Sequence, residues 1–175
     1  MTQMDLEKVR VACKTKREKA IVELLYSTGC RVSELCNLNI TDVNFETKEV
    51  ALFGKGSKSR TSYINARAEV ALKEYLESRS DVSPALIVHD TKPHIRMKES
   101  GIEMVIRKIM ARTNGVGTHV TPHVFRHTTA TTALDRGMSI VDVSRLLGHE
   151  RLDTTMEYIT ANAKSVKNSH SNFVI

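Results

Sequence analysis

Cysteine, proline and long apolar runs are all scarce in this chain of 175 residues, and each scarcity removes a class of protein. The three cysteines, Cys13, Cys30 and Cys36, are odd in number and show no C-x-x-C spacing. Neither a disulfide framework nor a zinc knuckle is supported, so reduced thiols in a cytoplasm are expected. The three prolines, Pro84, Pro93 and Pro122, lie far apart, and no repeat, low-complexity tract or proline-rich linker divides the chain. One folded unit is the simplest reading, and a chain of this length buries about 70% of its unfolded surface without needing a staple. No apolar run approaches the roughly 18 residues of a membrane helix, and Met1-Thr2-Gln3-Met4-Asp5 lacks a charged-then-apolar signal pattern. What the chain does have is basic charge: 26 Lys+Arg against 20 Asp+Glu give a formal +6. That excess suits a polyanionic partner such as nucleic acid, but says nothing of what happens to it.

The apolar spacing predicts a helix over 17–28, with Ala20, Ile21, Leu24 and Leu25 on one face and Gly29 as its left-handed stop. A short helix capped by Ser33 is expected next, which leaves Arg31 just past a helix end. Residues 43–64 turn to β-branched and aromatic runs, Val50–Phe53 and Arg60–Ile64, joined by Gly54-Lys55-Gly56-Ser57-Lys58-Ser59; this reads as a hairpin, with Asp42–Phe45 as a third strand. Helices follow over 67–78 and 100–113, with one short strand at Leu86–Val88 between them. Thr121 and Pro122 form an N-cap and N1 pair opening a helix to Arg136, where Gly137 stops it. Ser139 with Asp142 caps a helix through Leu147 that Gly148 ends, and Asp153 caps a last helix carrying Tyr158. The fold class is α+β, mainly α, with a small three-stranded antiparallel sheet.

Within this frame His123-Val124-Phe125-Arg126-His127 is unusual, because it puts cations in the first turns of a helix. A helix N-terminus carries roughly half a positive charge, so cations there cost about 0.3–1 kcal/mol each unless an anion is present. His123 and Arg126, at i and i+3, share a face and can converge on one phosphate. An isolated His-x-x-Arg is ordinarily just solvated. Zinc on His123 and His127 is the competing chemistry, but Val124 stands where H-E-x-x-H requires glutamate and no third ligand has suitable spacing. Lys55 between two glycines, Arg31 after a helix stop, His149 after Gly148 and Tyr158 are each unremarkable alone.

Together they are not. Thr28-Gly29-Cys30-Arg31-Val32-Ser33-Glu34-Leu35, then Gly54-Lys55-Gly56-Ser57-Lys58, then His123-Val124-Phe125-Arg126-His127, then Leu146-Leu147-Gly148-His149 and finally Tyr158 resemble, in order and spacing, the catalytic domain of the tyrosine recombinases. Phage and transposon integrases and chromosome-dimer resolving recombinases belong to that family. The resemblance implies that Arg31 and Arg126 clamp the non-bridging oxygens of a DNA phosphodiester. It also makes Tyr158 the nucleophile, Lys55 the general acid for the departing 5′-oxygen and His123 the base near the tyrosine hydroxyl. His149 would donate to the phosphate or position the tyrosine helix. No catalytic position is substituted.

The residue types suit that chemistry. Charge develops on equatorial phosphate oxygens, where two arginines offer planar donors that never deprotonate. Each preorganised donor is worth on the order of 10²–10³ in rate, so no metal, ATP or other cofactor is required. A phosphotyrosyl intermediate keeps the energy of the broken bond for rejoining to a new 5′-hydroxyl. Lys58, Arg60 and Arg145 are candidate contacts to the DNA backbone. The partners implied are double-stranded DNA and further copies of the chain in a tetrameric synapse, with no membrane and a bacterial, nucleoid-associated setting. Residues 1–163 are assigned to the catalytic domain and 164–175 to a tail, disordered or docked on a neighbouring protomer. The family's usual N-terminal DNA-binding domain falls outside the sequence, so a fragment of a longer protein is expected. Two rivals remain: a type IB topoisomerase, with similar chemistry and no exchange of partners, and a non-catalytic DNA-binding module.

Overall fold

Helix α2 (Lys16–Thr28) is the centre of the structure, a computed structural model that describes residues 1–54, 59–117 and 119–148. Ala20, Ile21, Val22, Leu24 and Leu25 are all fully buried, so the helix is apolar on more than one face and is covered accordingly. Helix α1 (Gln3–Ala12), α4 (Ala66–Glu77), α5 (Glu99–Met110) and α6 (Pro122–Asp135) surround it, while the short helices α3 (Val32–Asn37) and α7 (Ile140–Leu147) meet near its C-terminal end. No helix of the described residues is long and apolar enough to cross a membrane.

Most boundaries fall where the sequence puts them, because the capping residues act as expected. Gly29 is left-handed at φ 59° and Gly148 at φ 67°, ending α2 and α7. Ser139 accepts the Asp142 N–H at 3.1 Å and so opens α7. Helix α1 is the element not anticipated. Its signals were a Thr2/Asp5 capping box, with the Asp5 N–H donating to Thr2 Oγ1 and the Thr2 N–H to Asp5 Oδ2, and Leu6 and Val9 buried on one side. Helix α3 differs at its start: Arg31, not Ser33, is its N-cap, because the Glu34 carboxylate accepts the Arg31 N–H at 2.7 Å. The cap comes from the third helical residue, so no hydroxyl is needed.

Three strands, β1 (Val43–Asn44), β2 (Glu49–Phe53) and β3 (Ser59–Tyr63), form an antiparallel sheet in the order β1-β2-β3. The register pairs Val50 with Ser62 and Leu52 with Arg60. Strand side chains alternate, so the face that buries Val50, Leu52 and Ser62 carries Arg60 inward as well. The Ser62 hydroxyl donates to Thr28 O at 2.9 Å, fastening this face to the end of α2. The strand expected at Leu86–Val88 is not a strand. Its neighbours on the two sides are different loops: Leu86 N–H bonds Leu38 O, and Met97 N–H bonds Ile87 O, so only isolated bridges form. The turn Lys55–Lys58, the helix opened by Asp153 and the tail 164–175 lie outside the described residues.

All three cysteines are unpaired and buried, and burial pushes their thiols up, Cys13 to about 12 and Cys30 and Cys36 to about 11. They stay protonated, so the thiol beside Arg31 does not compete as a nucleophile.

Candidate active site

Gly29 closes α2 with a backbone conformation that L-residues rarely adopt, and a Cβ there would stand 2.8 Å from Leu147 Cδ2. The glycine thus lets the ends of α2 and α7 touch. Two residues on, Arg31 is fixed at both ends. Its main-chain N–H and its Nη1 bond the two oxygens of Glu34, at 2.7 and 3.0 Å, while Nη2 reaches Gly148 O at 3.4 Å. Its side chain is 46% exposed, against 3% for Glu34, so the guanidinium faces outward from a buried carboxylate. The far end of α3 is held by Arg96, whose Nη1 donates to Cys36 O and Leu38 O at 2.8 and 2.7 Å.

Arg126 resolves the electrostatic conflict noted for its helix. It is 4% exposed, and its guanidinium leaves the positive end of α6 for the negative ends of two other helices, donating to Gly29 O and Leu147 O at 2.7 Å each. Thr129, one turn on, donates to Tyr26 O, and its methyl group packs by Gly29, locking α6 against the last turn of α2. Helices α6 and α7 are joined by their own apolar cluster, Ala130, Val143 and Leu147.

Arg31 and Arg126, from helix ends 95 residues apart in numbering, therefore bond consecutive carbonyls, Gly148 O and Leu147 O. A third guanidinium joins them. Arg60 Nη2 donates to Glu34 Oε2 at 3.0 Å, and its side chain is only 13% exposed. Burial holds it below the usual guanidinium range, with Glu34 opposing that shift. Arg31 and Arg60 share one buried carboxylate, and Arg126 donates to the neutral carbonyls Gly29 O and Leu147 O, which leaves a positive cluster with planar donors, suited to an anion with several oxygens.

Among the other anticipated residues, His123 is exposed at the start of α6, and its neighbour His127 is half-buried, with burial drawing its imidazole below the ordinary value. Arg145 is 78% exposed and pairs with Asp142 at 3.5 Å, as a surface cation should. Arg60 is not displayed on the surface as a backbone contact would be; it lies under the site. Lys55, Lys58, His149 and Tyr158 lie outside the described residues. The other tyrosines are engaged or turned away. Tyr75 Oη accepts the Val88 N–H, Tyr26 Oη meets Gln3 Nε2, and Tyr63 projects from the face of β3 opposite Arg60. Glu34, which the motif gives no role, and Arg60, which the sequence suggests only as a DNA-backbone contact, both support Arg31. Their signals were an acidic third position in a helix that starts on an arginine, and a basic residue in phase with the inward Ser62.

Residues 1–165 match the Phage integrase family. The chain is 37% identical over 169 residues to tyrosine recombinase XerA of Pyrococcus horikoshii, covering 95% of the chain and 58% of that protein. It is 41% identical over 170 residues to XerA of Pyrococcus furiosus, covering 95% and 59%. Tyrosine recombinase XerC of Corynebacterium glutamicum is 36% identical over 154 residues, or 85% of the chain and 48% of that protein. The chain thus spans about half to three-fifths of the length of these relatives. A crystal structure of XerA recombinase superposes with a TM-score of 0.86 at 32% identity, over the whole chain and 63% of that chain. A Tn1549 transposon integrase in complex with a circular intermediate DNA shares the fold at a TM-score of 0.75 and 21% identity, over 99% of the chain and 65% of its own. The mainly helical domain with its small antiparallel sheet, the arginine motifs and these relatives agree: the chain belongs to the phage integrase family, that of the tyrosine recombinases.

Proposed function

We propose that this chain is the catalytic domain of a site-specific DNA recombinase that breaks and rejoins strands through a 3′-phosphotyrosyl intermediate. The observation that carries the reading is the convergence of Arg31 and Arg126 on the consecutive carbonyls of Gly148 and Leu147. That peptide immediately precedes His149, and Tyr158 follows nine residues later in the sequence.

In this reading a scissile phosphate lies against Arg31 and Arg126, which meet the charge growing on its non-bridging oxygens. The Tyr158 hydroxyl attacks phosphorus, its proton passing to His123, and the P–O5′ bond breaks as Lys55 protonates the leaving oxygen. The 5′-hydroxyl of another strand then attacks the phosphotyrosine in the reverse sense and releases the tyrosine. His149 hydrogen-bonds the phosphate or orients the segment bearing Tyr158. Bond energy is conserved throughout, so the cycle needs no metal or ATP. Lys58 and Arg145 serve sequence-independent contact with the duplex. XerH bound to its difH substrate, a structure of the same fold, supports a DNA partner. Assembly of four copies on paired sites and a setting at the nucleoid complete the proposal.

The test is a duplex nicked close to the cleavage site, so that the freed end diffuses away and the covalent intermediate accumulates. A protein–DNA adduct that disappears in Tyr158→Phe is expected. Salt-sensitive binding with no adduct under any condition would leave only a DNA-binding module. Relaxation of supercoils without exchange between matched sites would instead make the domain a topoisomerase.

A further inference from the structure

The structure assigns Arg60 a positioning role: it neutralises Glu34 so that the charge of Arg31 stays available to the phosphate. The assignment rests on the function proposed above and concerns how that site is built.

Three observations carry it. The β2–β3 register turns Arg60 inward opposite Leu52, so it is delivered to the site from below, with its side chain only 13% exposed. It meets the same carboxylate as Arg31, with Glu34 Oε2 at 3.0 Å from Arg60 Nη2 and Oε1 at 3.0 Å from Arg31 Nη1. It also lies across Gly148, whose carbonyl Arg31 contacts: a Cβ on Gly148 would stand 2.5 Å from Arg60 Cδ and 2.6 Å from Nε. Arg60 therefore touches both groups that hold the Arg31 side chain. It is kept there at a cost, since its Nε and Nη1 are buried without a hydrogen bond among the described residues.

Electrostatics explains why such a costly residue is useful. A carboxylate beside Arg31 orients it but would also cancel its field at a bound phosphate. A second buried cation on that carboxylate removes the cancellation and leaves the orientation. Arg60 touches no reacting atom, so its effect must pass through Glu34 and Gly148 to Arg31.

The experiment compares adduct formation on the nicked duplex, at saturating DNA, for the wild-type chain and for Arg60→Met, Arg60→Lys and the double variant Glu34→Gln/Arg60→Met. Thermal melting and DNA affinity are measured alongside. Arg60→Met is expected to slow adduct formation by about tenfold or more with little change in affinity, because Glu34 is then free to neutralise Arg31. The double variant has no carboxylate left to do so. It is expected to recover much of the loss, and it leaves no unpaired buried charge to unfold the chain. Arg60→Lys keeps the charge and is expected within a few-fold of wild type. A double variant as slow as Arg60→Met, a lysine variant as slow as the methionine one, or a methionine variant at wild-type rate overturns the assignment. A wild-type chain that binds DNA and never forms an adduct removes the underlying reading of function instead.

Discussion

The guanidinium of Arg126 and the carbonyl oxygen of Gly29, 97 positions apart in the chain, are 2.7 Å apart, and the same guanidinium spans to Leu147 O. One side chain thereby ties the C-terminal ends of α2 and α7 together and is itself oriented by them. Substitution with lysine keeps a cation there but loses the planar fork, so Arg126→Lys is expected to slow adduct formation by about 10²–10³. Urea unfolding should show a loss of stability as well, since a buried carbonyl is left unbonded. Wild-type cleavage by the lysine variant would mean that Arg126 only braces the fold.

Gly29→Ala tests the contact from the other side. Alanine is strained at φ 59° by about 1–2 kcal/mol, and its Cβ would press on Leu147. The expected result is a fall in unfolding free energy of at least that size, read by denaturant titration, with slower cleavage because the Gly29 carbonyl moves with the backbone.

Gly148→Ala should be felt chiefly through Arg60. The new methyl group enters the space of Arg60 Cδ, so Arg60 must leave Glu34. In an Arg60→Ala background that clash is gone and only the backbone cost of about 1–2 kcal/mol remains. Melting of the four proteins of this cycle should show the two losses to be less than additive. Strict additivity would place the two side chains out of contact.

Acid stability depends on a pair remote from the site. Arg79 holds the Asp81 carboxyl down at about 2, from an ordinary 3.8, and also bonds the carbonyls of Ser83, Ala85 and Leu86. Because the folded value is the lower one, the unfolded chain binds the proton first. The contribution is whole above about pH 4 and is lost as the pH falls toward 2. Asp81→Asn should be less stable at neutral pH and should lose less stability between pH 4 and 2, as followed by circular dichroism.

The sequence by itself determined the elements whose ends are written in local chemistry. Gly29 and Gly148 stop their helices because only a residue without Cβ takes a left-handed conformation freely, and Thr121-Pro122 starts one because proline presets φ. It also singled out Arg31, His123 and Arg126, whose spacing follows a family pattern. What tertiary structure alone decided is where the charges point. Arg126 is by sequence a cation in conflict with its own helix, yet its charge is met by two other helix ends brought in from Gly29 and Leu147. Arg60 is in sequence only a candidate contact to the DNA backbone, and pairing with Leu52 turns it under the site. Capping and turning are properties of a few neighbouring residues, so a sequence records them. Electrostatic partnership depends on distances between segments far apart in the chain, and only packing around α2 sets those distances.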